Sequence, residues 1–299
     1  LALKHLLQKL EALGHWFFYM IMRIFGPYGL IAARILLVPV ILCYVVFSRK
    51  INKTITVYLK HRFPGEPGWK YFSHVFRNVY AFGSILVDRG WLGVNPRVNF
   101  DGTFEGLETL SKLITEGKGV VMITAHVGNW QTAFANLGDL GAKVHAMMQY
   151  DQQLVAKHYF DLQGTTPPFE IISVDDDFGG MIDAAAALSR GEIVTIMADR
   201  YVKGSSTEVD FLGAKVRLPD AAYVLAAASA APVVVVLSAK TGVRSYQIKV
   251  WDHFYPEYAT RDERQPMLKE CASRYAKSLE KYLKRYPFQW YNFYNFWKQ

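Results

Sequence analysis

The chain has 299 residues, enough for one large domain or two modest ones, and 51% of them are hydrophobic, which excludes a disordered polypeptide and supplies a real core. Net charge is +8, yet Ala12 to Gly65 carries seven Lys and Arg with no Asp or Glu, and the remaining 27 bases against 26 acids leave only +1. An excess confined to an apolar N-terminal quarter suits the anionic surface of a bilayer, whereas nucleic acid calls for basic residues spread over a folded reading surface, so no nucleic-acid partner is expected.

Residues 1–60 read as a membrane anchor of apolar and amphipathic helices with a basic flank. "HWFFYMIM" and "IFGPYGLIAA" are interrupted by Arg23 and by Gly26-Pro27, and Arg34 precedes "ILLVPVILCYVVF", 13 uncharged residues closed by "SRK". Thirteen is short of the roughly 20 residues that span hydrocarbon, although Ile24 to Phe47 would reach if Arg34 snorkelled or found a partner. A pair of buried helices in an ordinary core is the other reading. A secretory signal is disfavoured, since the apolar stretch starts late and no small-residue cleavage site follows. A mean hydropathy of +0.06 also leaves apolar surface to face something other than water.

From residue 61 to 299 the pattern changes to one domain of alternating strands and helices, entered through the Pro/Gly-rich stretch near residue 65. Short apolar runs at 119–124, 144–149, 170–174, 192–198, 232–239 and 246–251 read as strands. The stretches Trp130–Leu140, Gln152–Gln163, Gly180–Arg190, Asp220–Ala230 and Asp262–Tyr286 read as helices. Continuous apolar strands separated by helices predict an α/β fold with a mostly parallel central sheet covered on both faces. The last helix carries Leu268, Cys271, Tyr275, Leu279 and Leu283 on one stripe, the pattern of a packed helix. Cys43 and Cys271, the only cysteines, exclude a disulfide framework or thiolate metal site and fit a cytoplasmic compartment.

In such sheets chemistry gathers beyond the carboxyl ends of the strands, and two polar clusters fall there. "ITAHVGNWQ" places His126 after a strand, with Gly128 and Asn129 in the following turn and Trp130 and Gln131 beyond; "MADR" places Asp199 and Arg200 after another. A histidine at a strand end is a general base or a packed structural residue. If His126 lies in the turn before a helix, it can fold back to meet residue 131. Asn129 donates to an oxyanion or caps the next helix, and Arg200, Lys203 and Arg217 bind phosphate or line a solvated loop. "DDD" at 175–177 reads as a turn, and no metal is expected. "PFQWYNFYNFW" at 287–297 reads as core packing or as an aromatic surface at headgroup level.

"HVGNW" followed by residue 131 resembles the H-x4-E/D motif of the lysophospholipid acyltransferase superfamily, and "ITAHVGNWQ" looks like the lauroyl/myristoyl acyltransferases of lipid A biosynthesis. "MADR", "VDFLGAKVRLPDAAYVLA" and "PFQWYNFYNFW" are similar to further segments of that family, so the likeness runs from about Phe76 to Trp297. The resemblance implies transfer of a fatty acyl group from an acyl carrier protein or coenzyme A thioester to a hydroxyl of a membrane lipid or glycolipid. It implies a location at the cytoplasmic face of a bacterial inner membrane, with acyl carrier protein and membrane lipids as partners and no cofactor. His126 would be the general base, with Gln131, Asn129 and Asp199 as further catalytic candidates and Gly128, Trp130, Arg200, Lys203 and Arg217 as substrate-binding ones.

The departure is Gln131, a neutral amide where the family has a carboxylate. A subfamily in which Gln suffices or another acid such as Asp199 substitutes, a deliberate Glu-to-Gln change, and a catalytically inactive lipid-binding protein on the same fold are all open at this level. A hydrolase using the same histidine lacks a Ser or Cys nucleophile.

Overall fold

The computed structural model describes residues 16–95, 100–129, 140–148, 169–175, 180–201 and 204–297. The helices expected at Trp130–Leu140 and Gln152–Gln163 lie essentially outside these residues.

A helical turn sequence at 16–24 leads into α1 (Gly29–Phe47), α2 (Arg49–Arg62) and the long α3 (Gly68–Val94). The remainder runs β1 (Asp101–Glu105), α4 (Leu107–Thr115), β2 (Val120–Thr124), β3 (Val144–Met148), β4 (Glu170–Ser173), α5 (Met181–Ser189), β5 (Ile193–Met197), β6 (Ser206–Phe211), β7 (Ala214–Pro219), α6 (Ala221–Ala228), β8 (Val233–Lys240), β9 (Ser245–Phe254) and α7 (Arg264–Arg285).

Seven strands form one sheet in the order β1-β9-β8-β2-β5-β3-β4. All neighbours pair in parallel except β8 and β9, which form an antiparallel hairpin. The expected mostly parallel sheet flanked by helices is therefore present. β2 is buried at all five positions because its apolar side chains are covered on both faces, with α6 among the helices packed against it. The apolar stripe of α7 is buried, and its tyrosines reach past the stripe to the sheet backbone: Tyr275 donates to the Thr124 carbonyl at 3.0 Å and Tyr282 to that of Ser238 at 2.9 Å.

α3, α4, β1 and the β6–β7 hairpin were not read from sequence. β1, "DGTFE", is an almost wholly exposed edge strand with no apolar run to announce it. β6 and β7 form a separate two-stranded hairpin whose turn residues, Leu212 and Gly213, both have positive φ, as a type I′ turn requires. A leucine there is strained, and Glu280 of α7 accepts its backbone N–H.

α1 packs on α3 along one stripe, Leu30, Ala33, Leu37, Ile41 and Val45. Its one charge is on that stripe: Arg34 donates to Asp88 of α3 and, at 2.6 Å, to the Val243 carbonyl in the β8–β9 turn. Asp88 is fully buried and also accepts from Lys240 and from the Tyr246 hydroxyl. Burial pulls the Lys240 ammonium below its ordinary value, against the attraction of Asp88. One carboxylate thus ties α1, α3 and the end of the sheet together, and it is tolerable in the interior only because its partners surround it.

Candidate functional site

The site is built by register. Thr124 of β2 and Met197 of β5 are paired neighbours, so the chain leaving each strand places its second following residue, His126 and Asp199, side by side beyond the carboxyl edge. The Ala198 N–H bonds to the Thr124 carbonyl at 3.0 Å and continues the pairing one residue outward. His126 then meets Asp199 twice. Its backbone N–H donates to Asp199 Oδ2 at 3.0 Å, and its ring Nδ1 lies 2.8 Å from Asp199 Oδ1.

Asp199 is completely buried, which by itself would raise its pKa. The attraction of His126, hydrogen bonds from that ring and from Trp290, and the nearby Arg200 outweigh burial and hold the carboxyl down at about 2. An ionised carboxylate only accepts, so Nδ1 must carry the proton and Nε2 is left as the basic nitrogen. The His126 side chain is 28% exposed while its partner is sealed, so the ring can meet a substrate.

The third partner was not assigned this role from sequence. Trp290 donates its indole N–H to Asp199 Oδ2 at 2.8 Å and is itself buried. The segment that carries it braces the His126 loop. Val127 and Trp290 form an antiparallel bridge, the Tyr291 N–H donates to the His126 carbonyl at 2.8 Å, and the Gly128 N–H to the Gln289 carbonyl at 3.2 Å. Gln289 uses its side-chain amide as a strand would use its backbone, accepting from the Lys240 N–H and donating to the Lys240 carbonyl, each at 2.8 Å. Of the two sequence readings of the aromatic tail, core packing is the one observed for Trp290, Tyr291 and Phe296. The Pro-x-Gln-Trp pattern was the available signal, but it does not say which acid the indole holds.

Gly128 has φ +53°, and a Cβ there would sit 2.2 Å from the Ser238 carbonyl oxygen. The loop therefore lies against β8 so closely that only glycine fits. Asn129 is fully buried; its Oδ1 accepts from Arg89 Nε at 3.4 Å, and its amide donates to the Tyr246 hydroxyl. Both ends of that side chain are engaged, linking the loop to the Asp88 cluster. Arg200 gives Nη2 to the Tyr291 carbonyl at 3.0 Å and lies over the Tyr294 ring, while its buried Nε has no partner among the described residues.

Arg217 is exposed on β7, opposite Glu208 in the hairpin. That hairpin reaches the site through Phe211, whose ring packs edge-on against Trp290. Trp130, Gln131 and Lys203 lie outside the described residues. The Asp175 backbone N–H donates to the Ser173 hydroxyl oxygen at 3.2 Å, and the two following aspartates lie outside the described residues. Among the described residues no group of three or more His, Cys, Asp and Glu is placed to hold a metal ion. Cys43 is exposed on α1, and Cys271 is buried in α7 with its thiol pushed up to about 12 by burial.

The arrangement is a strand-end histidine, proton-bearing on the nitrogen that faces a sealed carboxylate and basic on the other. Such a pair takes a proton from a hydroxyl and returns it to a leaving group. Residues 86–299 match the family model described as bacterial lipid A biosynthesis acyltransferase. No curated protein matches the chain.

Proposed function

The chain belongs to the bacterial lipid A biosynthesis acyltransferase family, and on that premise we propose that it is a membrane-associated O-acyltransferase in which His126 is the general base and Asp199 its anionic partner. The substrates in this reading are a fatty acyl thioester, on acyl carrier protein or coenzyme A, and a hydroxyl of a lipid or glycolipid acceptor at the cytoplasmic face of the inner membrane. His126 Nε2 takes the hydroxyl proton as the acceptor oxygen bonds to the thioester carbonyl carbon. The tetrahedral intermediate then breaks its C–S bond, and the proton passes from the imidazolium to the departing thiolate sulfur. Acyl transfer is direct. The inert thiol of Cys271 and the position of Cys43 on α1 support a route without an acyl-cysteine intermediate.

The single observation that carries the reading is the contact from His126 Nδ1 to the ionised Asp199 carboxylate. It supplies the charge that Gln131 does not, because an anion on Nδ1 both fixes the tautomer and stabilises the imidazolium. Arg200, whose charge acts on Asp199 and whose Nε has no partner among the described residues, is a candidate for holding an anionic group of donor or acceptor.

Purified protein incubated with labelled acyl carrier protein or acyl-coenzyme A and a lipid extract is expected to give acylated lipid. His126→Ala abolishes product, and Gln131→Glu leaves turnover of the same order. Undiminished product from His126→Ala overturns the assignment; a large gain from Gln131→Glu shows that Asp199 is not sufficient.

A further inference from the structure

α1 is the one helix among the described residues long and apolar enough to cross a membrane, and only 28% of it is buried. What covers the rest follows from how it is held. Its buried stripe runs from Leu30 to Val45, nearly the whole helix, and all of it faces the protein. Turned away from that stripe, Ile31, Ile35, Val38, Leu42 and Val46 form a row at helical spacing, all exposed, and Val40, Tyr44 and Phe47 are exposed on the other flank. Thirteen of the 21 exposed large hydrophobic side chains among the described residues lie between Trp16 and Phe47, so this is a concentrated patch and not ordinary surface scatter.

We propose that α1 does not cross the bilayer but lies along its surface, seated by the Ile31–Val46 face in a single leaflet of anionic lipid; this rests on the membrane-associated reading above. A spanning helix must be bordered by lipid or by other spanning helices through about 30 Å of hydrocarbon. α1 is bordered along its length by α3, which cannot go with it. Asn78 of α3 donates at 3.1 Å to the carbonyls of both Phe288 and Trp290, and Asp88 holds Lys240 and Tyr246 at the end of the sheet. Taking α1 through the bilayer would draw that ion cluster and the β8–β9 turn into hydrocarbon.

Charge agrees with a surface position. Arg23 before α1, and Arg49, Lys50, Lys53 and Lys60 on α2 after it, are all exposed, and no acid interrupts them. Such residues reach lipid phosphates when the helix between them lies flat. Arg34 of α1 and Asn129 of the His126 loop are tied to consecutive residues of α3, Asp88 and Arg89. A flat α1 therefore brings the catalytic loop to the level of the leaflet from which an acceptor lipid would enter.

The test is a depth profile. In the full chain with Cys43→Ser and the buried Cys271 left in place, one added cysteine at a time, at Ile31, Ile35, Val38, Leu42 or Val46, carries a nitroxide label, and relaxation by oxygen and by a water-soluble nickel complex reports its depth in phosphatidylglycerol–phosphatidylcholine vesicles. The expected result is one common depth within a single leaflet, with weaker binding to phosphatidylcholine alone. A depth changing by about 1.5 Å per residue along the helix, with Ile31 and Val46 near opposite surfaces, overturns the flat seating and leaves membrane association intact. Labels that stay in water with both vesicle types overturn the flat seating and the membrane reading together.

Discussion

"ILLVPVILCYVVF" in α1 and "PVVVVLSA" at β8 are both uncharged, Val-rich apolar runs and have opposite surroundings. Every residue from Val233 to Ala239 is buried, between paired strands on both edges and under helices such as α6 and α7, whereas α1 is covered on one stripe and open around the rest. Hydrophobicity alone does not decide burial; the number of sides from which a partner can approach does. In β8 the hydrogen-bonding edges bring neighbours, and in α1 the main distant neighbour, α3, is tied on by a charge, Arg34.

The largest expected effect lies wholly in the α/β region. Asp199→Asn keeps the shape but removes the anion that fixes the His126 tautomer, and turnover should fall about 10⁴-fold, by analogy with a serine-protease triad, while vesicle binding through α1 is unchanged. If binding falls too, the two regions are not independent. With its carboxyl held at about 2, Asp199 contributes no limb to the pH–activity profile between about pH 5 and 8. A depressed carboxylate stabilises the fold fully above its ordinary value of about 3.9 and loses that contribution as pH falls through about 2, so acid unfolding should be displaced in the Asn variant.

Asp88→Asn tests the joint between the regions. It strips the counter-ion from Arg34 and Lys240 inside the protein, and the expected loss is about 3–5 kcal/mol in chemical denaturation. A loss well below that range would mean that α1 is held by its apolar stripe alone.

The smallest effect is the sharpest comparison, because it makes one substitution twice. Leu237→Ala in β8, where the side chain is 1% exposed, should cost about 2–5 kcal/mol by removing packed atoms. Leu42→Ala in α1, at 45% exposed, should change stability in solution by only about 0.5 kcal/mol and instead weaken vesicle binding. Equal destabilisation by the two would erase the distinction.

The strands that carry the site were legible as apolar runs, because burial on both faces leaves only a threonine in each, Thr124 and Thr195, among apolar residues. β1 and the β6–β7 hairpin were not. The edge strand has no such run, and in the hairpin the alternation of Val209 and Phe211 with charged neighbours was hidden by a Leu-Gly turn lacking the usual Asn or Asp. His126 and Asp199 were both legible as strand-end residues, but their contact depends on β2 lying next to β5, a neighbourhood that local pattern does not contain. For the same reason Arg34 showed as a charge in an apolar segment while its partner, 54 positions later, did not.

The indole that holds Asp199 belongs to a residue 91 positions further along the chain. During synthesis the strand ends carrying His126 and Asp199 emerge well before it. Until Trp290 has been made and folded back, the carboxylate lacks one of its donors and the His126 loop lacks its brace. The His126–Asp199 setting is thus complete only once the segment around Trp290 is in place, and a chain ending before it carries the same histidine and aspartate without that donor and that brace.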